Sequence, residues 1–268
     1  MLRIIFERAT DRKRNSERRY AIKLLAICGS PRKGNTSNAL KLIRDAFPGI
    51  DFEILHLIDL DFKLCKACYA CVLKGESKCP LKDDRDMILG KMAEADGLIL
   101  ASPVYSHMVS AMIKNLFERF GYLAHRPLFF NKFAMSMVTY SGYGAEEALK
   151  YMDKILSAFG FNLAPSLELQ FRPGKMPEKN TALNIEKSKR AVKIFIEKIE
   201  RGEKNKPSLK RIIPYNIFKY VSKLDKELMK ADYEYYKDKG DFYYETNIPF
   251  YKKIIVKKLT DKIISQFD

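Results

Sequence analysis

No run in this 268-residue sequence approaches the ~20 apolar residues that a bilayer span requires. The first twenty residues, MLRIIFERATDRKRNSERRY, lack the apolar core of a secretory signal, so the expected location is the cytoplasm. Internal repeats and low-complexity tracts are also absent. Acidic side chains are in the minority, 33 against 49 Lys and Arg, yet the surplus is spread along the chain. No single face is marked as a nucleic-acid footprint, and nucleic acid is not an expected partner. Cysteine is scarce, but four of the five fall between residues 65 and 79. In a reducing compartment such a cluster points toward metal or redox chemistry and away from disulfides.

Strand-length apolar runs alternate with helical patterns through the first 170 residues. IKLLAIC (22–28), FEILHLI (52–58), GLILA (97–101) and KFAMSMVTY (132–140) read as strands, and FNLAPSLELQF (161–171) as a fifth, bent at Pro165. Between them, helices are expected over 36–47, from an Asp83 N-cap with Asp86 as its capping-box partner, over 107–123 and over 144–160. Repeated units of this kind predict an α/β fold, a parallel sheet with helices on both faces. Ligands bind such sheets at the carboxyl ends of strands, where the strand order reverses. That rule selects the loops after residues 28, 101 and 140.

Beyond a charged linker near 202 the composition changes. Residues 201–268 hold 8 of the 15 tyrosines. Phe218, Val221, Leu224 and Leu228 recur at helical spacing, and Ile255, Leu259 and Ile263 do so among lysines, which predicts a mainly helical, basic extension packed on its own domain or a sister subunit; the alternative is a non-catalytic binding protein whose basic tail binds a partner or a membrane surface. The expected organisation is a basic arm over 1–20, a ligand-binding domain over 21–201 that carries the cysteine loop at 65–79, and this extension over 202–268.

Two stretches carry chemistry. GSPRKGNTSNAL (29–40) follows a strand and opens a helix, so backbone N–H groups and the positive helix end can surround one anion, with Ser30, Thr36 and Ser37 as hydroxyl donors and Arg32 as a charge. Its Gly29 and Gly34 have P-loop spacing, but Asn35 stands where that motif has the lysine serving terminal phosphates, and a G-x-G-x-x-G dinucleotide fingerprint is missing. LHLID, ending at Asp59, has only the common form of a magnesium-binding strand. What survives is a cradle for one phosphate monoester, set against an ordinary capped turn. In LCKACYACVLKGESKCP the spacing of Cys65, Cys68, Cys71 and Cys79 is C-x2-C-x2-C-x7-C, with Pro80 after the last. Four soft thiolates suit a cubane iron-sulfur cluster or tetrahedral zinc, and thiols without metal are the third reading. Cys28 ends the first strand and reads as a core residue.

Together GSPRKGNTS, the four-cysteine loop followed by Asp83 and Asp84, ADGLILASPVY, IKNLFERF and TYSGYGAEEAL resemble the flavodoxin-like NAD(P)H-dependent FMN reductases, specifically their iron-sulfur flavoprotein branch. The resemblance spans roughly residues 21–170. It implies a doubly wound five-stranded parallel sheet that binds FMN, with Ser30, Arg32, Gly34, Asn35, Thr36 and Ser37 at the phosphate. Pro103, Val104, Tyr105 and Ser106 would line the isoalloxazine ring, and Tyr140, Ser141 and Gly142 its far edge. It further implies a 4Fe-4S cluster on the four cysteines that exchanges electrons with the flavin, NAD(P)H as an electron donor, a ferredoxin-type partner, and a homodimer or homotetramer. No catalytic acid or base is nominated, and His107 reads as a structural residue at a helix start.

Overall fold

Short apolar runs become the strands of a parallel sheet, buried in the central strands and half-buried at the edge strand. In the computed structural model, which describes residues 21–171, 178–202 and 204–265, these are β1 (Lys23–Cys28), β2 (Asp51–His56), β3 (Gly97–Tyr105), β5 (Phe133–Tyr140), β6 (Asn162–Leu163) and β7 (Leu167–Gln170). The order is β2-β1-β3-β5-β6, with β7 also paired to β5 and every one of these pairs parallel. The fifth strand is thus split at Pro165, which has no N–H to give the ladder. The arm expected over 1–20 lies outside the described residues, as do residues 172–177.

The described chain falls into two compact units. The first takes the chain up to residue 65, then 82–119 and 129–204, and contains the sheet. Helices α1 (Asn35–Ala46), α3 (Arg85–Glu94), α4 (Ala111–Arg119), α6 (Ala145–Ala158) and α7 (Glu178–Arg201) belong to it. Alternate residues Leu24, Ala26 and Cys28 of β1 join Ile99, Met135 and Met137 in one core layer, which is closed by Leu40 and Ile43 of α1 and by Val192 and Phe195 of α7. Burial pushes the Cys28 thiol pKa up, as suits a core residue.

The second unit takes residues 66–81, 120–128 and 205 onward. It contains α2 (Ala70–Leu73), α5 (Tyr122–His125), α8 (Leu209–Leu224), α9 (Lys230–Tyr236) and α10 (Phe250–Ile264). Its core is aromatic: the Tyr215 ring meets Tyr236 edge-on at 5.6 Å and Tyr243 at 4.7 Å, and its hydroxyl donates to the Gly240 carbonyl at 2.6 Å. The tyrosine-rich tail therefore supplies the interior of this unit.

Three local expectations are corrected. The helix expected over 107–123 is a strand, β4 (Met108–Val109), followed by α4 and α5. β3 runs on past Ala101 and folds back on itself through Ser106 and His107, which both have positive φ (47° and 63°), the backbone of a two-residue type I′ turn. α4 begins at Ala111 because Ser110 caps it, its hydroxyl taking the Ile113 N–H. Asp83 does accept the Arg85 N–H at the start of α3, at 3.2 Å, but Asp86 is not its capping-box partner and pairs instead with the Arg85 guanidinium. In α10 the buried stripe is Val256, Thr260 and Ile264, one residue on from the expected Ile255, Leu259 and Ile263, and Ile255 and Leu259 are exposed.

Gly97 opens β3 beneath α7. A Cβ there would lie 2.6 Å from Ile199 Cδ1, 2.7 Å from Phe195 Cζ and 2.8 Å from Leu24 Cδ2. Gly97→Val should therefore lower unfolding stability by about 1–3 kcal/mol, read from urea denaturation, because three buried side chains must move at once.

Candidate functional site

The three loops selected from sequence meet at the carboxyl ends of β1, β3 and β5. Gly29 N–H donates to the Ala101 carbonyl at 2.8 Å, and the Ser110 hydroxyl donates to the Gly29 carbonyl at 2.5 Å. The Thr36 and Thr139 hydroxyls are 2.6 Å apart and share a hydrogen bond, which ties the first turn of α1 to the end of β5. Ser102 holds the third corner, donating to the Pro103 carbonyl and accepting the Ser110 N–H. The backbone of the loop after β5 also comes close to the β3–β4 turn. Gly144 has φ 89°, and a Cβ on it would lie 2.5 Å from the Cα of His107.

At the first loop, the amides of Asn35, Thr36 and Ser37 have no carbonyl within the helix to bond, a consequence of helix geometry. Gly34 is the N-cap and brings no side-chain oxygen, and the first turn holds no acid. The Ser37 hydroxyl is fully buried there and has no hydrogen-bond partner among the described residues. An uncapped helix end with an unsatisfied buried hydroxyl fits an anion such as a phosphate. Ser30 is buried, and its hydroxyl bonds the Arg32 carbonyl at 2.6 Å, which curls the loop. Arg32 and Asn35 are exposed, and the Arg32 side chain passes within 3.5 Å of where a Gly34 Cβ would be. Lys33 reaches the other way, to Asp59 at 2.8 Å.

At the second loop Pro103 is buried, Val104 half-buried, and Tyr105 and Ser106 exposed on the hairpin. At the third, Tyr140 is half-buried while Ser141 and Gly142 are exposed, with open space around Gly142. Burial, and then the charge of Glu168, push the Tyr140 hydroxyl pKa up, so it stays protonated. Sequence reasoning missed Thr139, Ser102 and Ser110, which fasten the loops together, and Tyr143, an exposed ring that stacks on His107 with centroids 6.5 Å apart.

Cys65 is half-buried at the edge of the first unit. Its N–H donates to Asn115 Oδ1 at 3.0 Å, while Asn115 Nδ2 and the Arg119 guanidinium both donate to the Lys63 carbonyl. Arg119 also grips Asp83, with Nη2 at 2.8 Å from Oδ1, and both side chains are buried. The IKNLFERF motif and the first aspartate after the cysteine loop are thus two halves of one bracket around residues 63–65. Cys68, Cys71 and Cys79 belong to the second unit, where Cys68 is exposed and the others half-buried. Ala67 and Tyr69, either side of Cys68, have φ 49° and 56°, a left-handed backbone that side chains with a Cβ adopt at a cost of about 1–3 kcal/mol each. The donor set is right for a thiolate-bound metal. Among the described residues no three Cys, His, Asp or Glu side chains form a group that could hold an ion.

The sequence profile of the NADPH-dependent FMN reductases matches residues 22–173. An iron-sulfur flavoprotein of Archaeoglobus fulgidus is 32% identical over 226 residues, covering 82% of this chain and 99% of the relative. An iron-sulfur flavoprotein of Methanosarcina thermophila is 38% identical over 103 residues, 37% of this chain and 52% of the relative. Among solved structures, RosB with a bound 8-demethyl-8-formylriboflavin-5′-phosphate intermediate aligns with TM-score 0.54 at 16% identity over 86% of this chain and 92% of that one. The NAD(P)H:quinone oxidoreductase of Methanothermobacter marburgensis aligns with TM-score 0.53 at 16% identity over 70% of this chain and all of that one. The likeness to these two solved structures shows a shared flavodoxin-like fold. The chain belongs to the NADPH-dependent FMN reductase family, in its iron-sulfur flavoprotein branch.

Burial works against the charge on Asp83, but the Arg119 guanidinium and the amides of Lys63 and Arg85 outweigh it and hold its carboxyl below the usual carboxylate range. A lowered folded value stabilises fully above the ordinary carboxylate pKa of about 4 and is lost as pH falls through the folded value. Asp83→Asn should therefore flatten the acid limb of the stability–pH curve. At neutral pH it should cost about 3–5 kcal/mol in urea unfolding, since Arg119 is left buried without its carboxylate.

Proposed function

We propose that the chain is an FMN-dependent oxidoreductase that takes electrons from NAD(P)H. The observation that carries the reading is the uncapped amino end of α1 with the buried, unpartnered Ser37 hydroxyl beneath it. One phosphate would be held by the amides of Asn35, Thr36 and Ser37, by the Ser37 hydroxyl, by Arg32 over Gly34, and by Ser30 once its hydroxyl turns from the Arg32 carbonyl. Thr36 acts mainly as a fastener, since its hydroxyl is shared with Thr139. The flat ring would lie beside Pro103, Val104, Tyr105 and Ser106, with Tyr140, Ser141 and Gly142 at its far edge. Family membership supports the choice of FMN over other monophosphates. FMN, when bound, supplies hydride and single-electron chemistry of its own. The protein holds the phosphate, fixes the ring against the hairpin and keeps the Tyr140 proton in place, and we assign it no catalytic acid or base.

The four cysteines Cys65, Cys68, Cys71 and Cys79 form, on this reading, the ligand set of a 4Fe-4S cluster, a choice supported by four soft donors and by the relatives' name. The second reading is a loop that holds zinc or no metal. Iron, zinc and sulfide analysis of anaerobically purified protein decides between them. We further propose a binding domain over 21–201 flanked by an arm over 1–20 and an extension over 202–268, assembly as a homodimer or homotetramer, and a ferredoxin-type partner. No helix among the described residues is long and apolar enough to cross a membrane.

The purified protein should be yellow and bleach on addition of NAD(P)H. Ser37→Ala should weaken FMN binding about tenfold or more in a fluorescence titration, as expected for one hydrogen bond to a charged group. Thr36→Leu should abolish flavin retention, and Asn35→Lys should create no ATP affinity by calorimetry. A colourless protein with no affinity for added FMN would sink the proposal.

A further inference from the structure

The second unit contains a buried ion pair that the flavin site does not use. Arg126 and Asp232 pair with 5% and 0% of their surfaces exposed. The same guanidinium donates from Nη2 to the Cys71 carbonyl at 2.6 Å and from Nη1 to the Val72 carbonyl at 2.9 Å, and Glu76 lies 3.7 Å from it. The second oxygen of Asp232 is 2.8 Å from Nδ1 of His125, whose ring lies 4.2 Å from that of Phe218 in α8. Two more bonds run from α9 to the same segment: Tyr236 donates to the His125 carbonyl, and Tyr235 to the Pro127 carbonyl at 2.7 Å.

Geometry says what this cluster does. α2 is only four residues long, far below the length at which a helix stands alone, and its terminal carbonyls have no partners within it. It is entered through the strained backbone of Ala67 and Tyr69, a conformation that persists only where the surroundings over-determine it. Arg126 caps the carbonyls of Cys71 and Val72 with a fork whose two arms reach different acceptors, something a lysine cannot reproduce. A guanidinium buried this deeply needs a carboxylate, and the C-terminal extension brings it.

We propose that the C-terminal extension is the holder of the cysteine segment, and that Asp232 and Arg126 are positioning residues for Cys71. The conformational part stands on the contacts above, whereas the consequence for a bound cluster rests on the cluster reading given under Proposed function. The test uses the full chain with Asp232→Asn. Hydrogen exchange in 70–73 and the alkylation rate of Cys71 in metal-free protein should each rise about tenfold or more, given the size of a broken buried pair. Exchange in 97–119 and 129–140, which belong to the first unit, and FMN retention should stay as in the wild type, and iron per chain after anaerobic reconstitution should fall. Asp232→Glu, which keeps the charge, should recover part of each loss.

Unchanged exchange and alkylation in Asp232→Asn would overturn the proposal whatever the iron content. A wild type that binds no iron, with exchange and alkylation still raised in the variant, leaves the holder role standing and sinks the cluster reading alone. Should Asp232→Asn lose protection throughout 205–265, Arg126→Lys decides: a rise confined to 66–81 supports the proposal, and wild-type exchange there overturns it.

Discussion

The site hangs on amide groups that the chain does not satisfy internally. A helix leaves its first N–H groups without partners, and a protein with no use for them covers them with a serine, threonine or aspartate side chain. Here the N-cap is glycine and the first turn has no acid, so the positive end of α1 is left bare at the ends of the sheet strands. The rest of the first unit holds that end still. Gly29 is bonded on both sides, to the Ala101 carbonyl and to the Ser110 hydroxyl, which fixes where the chain leaves β1. The Thr36–Thr139 bond then fixes the rotation of α1 about its axis. Preorganised donors bind an anion without reordering, the circumstance in which such donors are worth most.

Buried ion pairs recur in both units with a common task. Arg119 with Asp83 in the first unit, and Arg126 with Asp232 in the second, each bury a guanidinium that also bonds backbone carbonyls of the cysteine-bearing chain, at Lys63 and at Cys71 and Val72. Buried pairs seldom add much stability over apolar packing. Their value lies in direction, since a planar fork accepts partners only where its N–H groups point. A short segment with positive φ at Ala67 and Tyr69 has little secondary structure to define it, and directional bonds do so instead.

Much of this is legible in sequence because buried parallel strands are written as apolar runs, and the strand-end rule then names the three loops. What failed was local pattern set against distant partners. Helical spacing from His107 suggested a helix, but Ser106 and His107 make a type I′ turn without the glycine or asparagine that announces one. In α10 the sequence YKKIIVKKLTDKII carries two apolar stripes one residue apart, and only packing on α8 decides which is buried. Thr139, Ser110 and Asp83 were invisible as fasteners because their partners lie 103, 81 and 36 residues away. Asp232 was equally hidden, one acid among ten in a basic tail, 106 residues from the arginine that needs it.

The altered P-loop spacing acquires a physical meaning from these contacts. A triphosphate needs a cation beyond the amide cradle, carried on the helix where Asn35 stands. The nearest lysine in sequence, Lys33, is turned to Asp59, which also accounts for the lowered carboxyl pKa of that residue. Within the loop itself Asn35 is exposed and Lys33 engaged, which leaves Arg32 as the charge and Ser37 as the buried donor without a partner among the described residues. On the proposed reading, a loop so built has donors for one phosphate and nothing to compensate a second, so the missing lysine would set the size of the anion rather than mark the decay of a nucleotide site.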